Sequence, residues 1–142
     1  SQVMIRHRSL PFVLLVALCS ALATAQGPKG IAYVEAPERA AGVCVAGSPD
    51  KGFACARERC AEPGVPGNEC LRRAWCYPAG WSVDMFLQDR NGIHWHEFTC
   101  GLPSRELAQA LAKLKCEPAH AERYIECTPV RYFDPDGREI AL

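Results

Sequence analysis

The sequence predicts a small, disulfide-rich α+β domain of two pseudo-repeats, each running strand, Ser-capped helix, strand, turn, strand. An antiparallel sheet with the helices packed on one face is the expected architecture. Three observations carry this. The stretches CVAGSPDKGFACARERC (44–60) and CGLPSRELAQALAKLKC (100–116) share one frame. Cys70 and Cys127 follow at nearly equal distances, and WCYPAGW (75–81) echoes YFDPDGR (132–138), with Pro78 matching Pro135 and Gly80 matching Gly137. Residues 81–99 alternate apolar and polar around a glycine turn, the pattern of a half-buried hairpin.

At the N-terminus, Arg6, His7 and Arg8 precede the apolar run LPFVLLVALCSALATA (10–25), which ends Ala23-Thr24-Ala25. A basic start, an apolar centre and a small-residue cleavage site predict a secretory signal peptide over 1–25, with residues 1–3 upstream of the true start at Met4. A membrane anchor needs a longer unbroken apolar run, and Cys19, Ser20 and Thr24 interrupt this one. Cleavage removes Cys19 and leaves eight of the nine cysteines, an even set expected to form four bridges in an oxidising compartment, periplasmic or secreted. It also removes Arg6 and Arg8, leaving 14 basic against 16 acidic residues. That balance provides no field to attract nucleic acid or an anionic membrane. The remainder, 26–142, is long enough for one modest core and is read as a single domain with pseudo-repeats at about 31–86 and 87–142.

Ile31 to Val34 is short and β-prone, and residues 35–42, with Pro37 and Gly42, read as a connection or ragged hairpin before Val43-Cys44-Val45. Ser48-Pro49 starts a helix running to about Cys60, because the hydroxyl accepts a free first-turn N–H and proline suits the first helical position. Ser104 stands at the same distance after Cys100 and caps a helix over 105–116. There Leu107, Ala110, Leu111 and Leu114 form one apolar face, expected to point inward, while Arg105, Gln109, Lys113 and Lys115 stay wet.

The hairpin between them depends on its turn. A three-residue loop, Arg90-Asn91-Gly92 with glycine in the left-handed position, sets Leu87 opposite Trp95. Trp81, Val83, Met85, Leu87 and Trp95 then face the core, and Phe86, His94 and His96 share the other face. The chain closes with two short strands around Asp134-Pro135-Asp136-Gly137, a plain β-turn by composition.

Cys55 and Cys76 have no counterparts in the second copy, where Leu111 and Phe133 stand in their places. The simplest pairing joins them to each other, ties helix ends to strands through Cys60–Cys70 and Cys116–Cys127, and leaves Cys44–Cys100 to join the halves.

The strand G-I-A-Y (30–33), the S-x-x-x-A helix and the helix-end cysteine followed by another about ten residues later resemble small exported bacterial Cys-rich α+β domains of unknown function. The resemblance covers each half once and implies export and an α+β fold. It carries over no active-site residue.

No motif here has a chemical mechanism attached: there is no G-x-S-x-G, H-E-x-x-H, phosphate-binding glycine loop or C-x-x-C. The leading expectation is a secreted or periplasmic, non-enzymatic binding module. It would serve as an accessory subunit, adaptor or inhibitor contacting a protein or envelope component through a patch of Phe86, His94 and His96. One alternative is a zinc- or copper-binding protein using His94 and His96, two nitrogens on one strand face, with His120, Asp84 or Glu97 as third ligand by residue type. The other is a small secreted hydrolase assembled from these histidines and scattered carboxylates.

Overall fold

The computed structural model describes residues 27–117 and 122–141; the segment expected to be a signal peptide and His120 lie outside them. Among the described residues, two antiparallel sheets, two α-helices and four disulfides make up a small disulfide-rich α+β fold. In the first half, β1 (Gly30–Ala36) and β2 (Ala40–Ala46) form a hairpin, α1 (Pro49–Ala61) follows, and β3 (Leu71–Cys76) returns to pair with β1. The second half repeats that order with β4 (Trp81–Asp89), β5 (His94–Leu102), α2 (Arg105–Lys115) and β6 (Tyr124–Phe133), extended by β7 (Glu139–Ile140). Strand orders are β2-β1-β3 and β5-β4-β6-β7, so the opening strand of each half is internal to its sheet. β4 runs unbroken through position 86, so the structural unit starts at Gly30 and again at Trp81.

The halves do not share one sheet. They stack as four layers: α1, first sheet, second sheet, α2. Ala32, Val34, Ala36 and Cys44 face Phe53, Ala56 and Cys60 of α1. Val83, Met85 and Leu87 face Ala108 and Ala112 of α2. Between the sheets lies a third cluster with Ile31, Tyr33 and Val43 on one side and Phe98 and Phe133 on the other. Tyr33 stacks on Phe98 with ring centroids 4.5 Å apart and planes 8° from parallel, an arrangement that adds about 1 kcal/mol to simple burial. Each helix therefore covers the outer face of its own sheet, because each sheet's other face is taken by its neighbour.

Ser48 and Ser104 cap the two helices, their hydroxyls accepting from Lys51 N–H and Leu107 N–H. Four-residue steps from each cap give Gly52, Ala56 and Cys60 in α1, and Ala108 and Ala112 in α2 followed by Cys116 at its C-cap. These small residues bring helix and sheet close together. A Cβ on Gly42 of β2 would overlap the Ala56 carbonyl, and one on Gly52 would strike the Trp75 ring. The inward side of α2 is thus the Ala108–Ala112 line with Leu111 at its margin. The expected leucine face is turned largely outward, with Leu107 49% and Leu114 56% exposed.

The hairpin of β4 and β5 pairs Leu87 with Trp95, with Gly92 at φ +85° closing a three-residue loop. Asp89 and Asp134 each turn a carboxylate oxygen onto two backbone N–H groups of their own turns, 2.9–3.0 Å away.

The disulfides are Cys44–Cys55, Cys60–Cys70, Cys76–Cys100 and Cys116–Cys127. Pairing Cys55 with Cys76 and Cys44 with Cys100 is overturned, and the layering explains why. Cys44 and Cys55 both lie in the layer between α1 and the first sheet, whereas Cys76 and Cys100 lie between the two sheets. A bond from one pair to the other would have to cross a sheet. Cys76–Cys100 is the only one of the four that joins the halves.

Candidate binding site between the sheets

Alternation on β4 sends Ser82, Asp84 and Phe86 to the side opposite α2. Sequence alone makes that side wet, but the first sheet covers most of it, and Asp84 and Ser82 are fully buried. A buried carboxylate is tolerated only with compensating partners. Asp84 has two, both set by strand register. Arg131 sits directly across on β6 and puts Nε and Nη2 at 3.2 and 2.7 Å from Oδ2. His96 sits diagonally across on β5, its Nδ1–H donating to Oδ1 at 2.8 Å.

The first sheet contributes Glu35, also buried. It lies on the Ile31–Tyr33 side of β1, accepts the His96 backbone N–H at 3.3 Å, and pairs with Arg73 of β3 at 3.3 Å. The hydrogen bond to the Asp84 carboxylate raises the pKa of His96 above the ordinary histidine value; partial burial opposes this without cancelling it. Burial pushes the Tyr33 phenol well above its usual range. Its hydroxyl and that of Ser82 have no hydrogen-bond partner among the described residues.

Phe86, His94 and His96 are brought together. The Phe86 ring packs against both imidazoles, at centroid distances of 5.5 Å to His94 and 5.6 Å to His96. His94 Nε2 reaches Glu38 in the β1–β2 turn at 3.4 Å, a second link between the sheets. Together with Glu35, Arg39 and Arg131, these residues line a cleft of about 360 Å³ between that turn and the second sheet. A second opening of about 470 Å³ lies across β5, lined by Tyr33, Arg73, Phe98 and Lys115. Glu35 and His96 line both, and so form the partition between them.

As metal ligands the histidines are poorly supplied. Among the described residues no group of three or more His, Cys, Asp or Glu side chains is gathered for an ion. Asp84 occupies Nδ1 of His96, and Glu97 pairs with Lys115 on the opposite side of β5.

Glu35, the pairing role of Asp84, and Arg131 were not evident from sequence. A charged residue at the end of an otherwise apolar strand, as in GIAYVEA, was the one available signal for Glu35. In comparisons with known proteins, the chain matches no family model, no curated protein and no solved structure. Among the described residues no helix is long and apolar enough to cross a membrane.

Proposed function

We propose that this protein is an exported, non-enzymatic binding module that engages a protein or envelope component at the mouth of the inter-sheet cleft. The supporting observation is Phe86, partly buried, in contact with both His94 and His96 and lining the cleft. An aromatic side chain fixed by its neighbours on a covalently stapled scaffold loses little freedom on binding, which is the usual make-up of an interface anchor. Four disulfides are consistent with an oxidising compartment. The test is capture of partners by the oxidised domain from the native envelope and medium. A stoichiometric partner retained by the parent and lost by Phe86→Ala with His94→Ala supports this reading. Equal retention by both moves the contact elsewhere.

The Asp84–His96 pair favours one second reading, a small hydrolase. A buried carboxylate on Nδ1 orients the imidazole as in general acid–base sites, with Nε2 left to serve the cleft. Ester or phosphodiester cleavage that disappears in His96→Ala would favour it over the binding module.

A further inference from the structure

The two helices occupy equivalent places on their sheets, and comparing them isolates a feature that packing does not require. Each docks by the same small-residue line, Gly52 and Ala56 in α1, Ala108 and Ala112 in α2. The flank beside that line differs. In α1 the positions matching Leu107, Ala110, Leu111 and Leu114 are Lys51, Ala54, Cys55 and Glu58, with both charged residues exposed. In α2 they form a leucine stripe whose outer members, Leu107 and Leu114, are 49% and 56% exposed. Seating a helix on the sheet therefore does not call for leucine there.

Residues Glu106 and Lys113 border the stripe on its side away from the sheet. Neither forms an ion pair among the described residues, whereas Lys115, on the other border, is paired with Glu97. An acidic group in the first turn and a basic one seven residues later are complementary to themselves when a helix meets a reversed copy.

We propose that α2 is a self-association surface on which two copies of this chain pair their α2 helices antiparallel about a two-fold axis. Leu107 of each copy then packs against Leu114 of the other, Ala110 and Leu111 meet at the centre, and Glu106 of each copy lies beside Lys113 of the other, both pairs on the flank away from the sheets. Small Ala110 lets the helix axes approach, and the reversed helix dipoles attract. An eleven-residue helix is only roughly 16 Å long. Its contact falls below the size of a standard permanent interface, so the dimer is weak and concentration-dependent.

Sedimentation velocity of the oxidised protein, from low micromolar to millimolar concentration, tests this. The parent should pass from monomer to dimer. Leu114→Glu should remain monomeric with an unchanged melting temperature, since Leu114 is largely solvent-facing. Glu106→Lys alone and Lys113→Glu alone should each weaken association about tenfold. The double variant E106K/K113E, which restores opposite charges, should return it to the parent level. A parent that is monomeric throughout, or single and double variants that all associate like the parent, would overturn the proposal. So would a monomer that sediments with anionic phospholipid vesicles through Lys113, since the stripe would then meet a lipid surface.

Discussion

Asp84 and His96 meet at 2.8 Å although they lie on different strands and are not direct partners in the ladder; Phe98 stands opposite Asp84, and His96 is one pleat further on. The diagonal contact exists because Asp84 has no access to water and must take its partners from its own sheet.

Replacing Asp84 by Ala removes the group that both Arg131 and His96 neutralise. The expected cost is about 3 kcal/mol, at the lower end of the range for breaking a buried pair because the Arg131 and His96 side chains both keep some contact with water. Denaturant unfolding measures the loss. Titration of the His96 ring by NMR should show its pKa falling toward the ordinary histidine value; an unmoved pKa would contradict the role given to Asp84.

The His96–Asp84 link also fixes a pH dependence. Because the folded-state pKa of His96 is raised, its contribution is complete below the unfolded value of about 6.5 and is lost as pH climbs through the folded value. The parent should exceed His96→Gln in melting temperature most clearly on the acid side of that window. The gap should narrow on the alkaline side. A gap that widens with pH would reverse the sign and exclude this linkage.

Cys76–Cys100 closes a 24-residue separation and joins the two sheets. Substituting both cysteines by serine should cost about 3 kcal/mol. Hydrogen exchange should quicken first at residues between the sheets, such as Tyr33 and Phe98, while α1 and α2 keep their protection. Peptide mapping of the parent should recover Cys44 with Cys55; a Cys55–Cys76 peptide would refute the layered arrangement.

Tyr33 carries a buried hydroxyl without a hydrogen-bond partner among the described residues, while its ring is held by Phe98. Tyr33→Phe keeps the stack and removes a desolvated polar group, so stability should be unchanged or higher by about 1 kcal/mol. Thermal unfolding decides it, and a clear loss would mean the hydroxyl has a partner.

Local chemistry was legible in the sequence. Ser48 and Ser104 announce the helix starts, and Gly92 sets the hairpin register that puts Trp95 in the core with Leu87. What sequence did not reveal was what covers each face. Alternation correctly separates Asp84 from Met85, but it marks the Asp84 side as solvent because the residues there are polar. Only the second sheet's placement against the first makes that side interior. The α2 helix and its cap stand where the sequence places them, but its inward face differs for a related reason: apolar periodicity selects the leucines, while close backbone approach selects Ala108 and Ala112. Arg131 needed the β6 register, which a bulge between Asp84 and Met85 shifts.

The disulfide map also sets an order of events as the chain is made. Cys44, Cys55, Cys60 and Cys70 find their mates within the first half, so its two bonds can close as soon as residue 70 emerges. Cys76 then waits for 24 further residues before Cys100 arrives. During that interval it is the one cysteine of the described first half whose mate has yet to appear, so mispairing or oxidant damage there would fall on its sulfur.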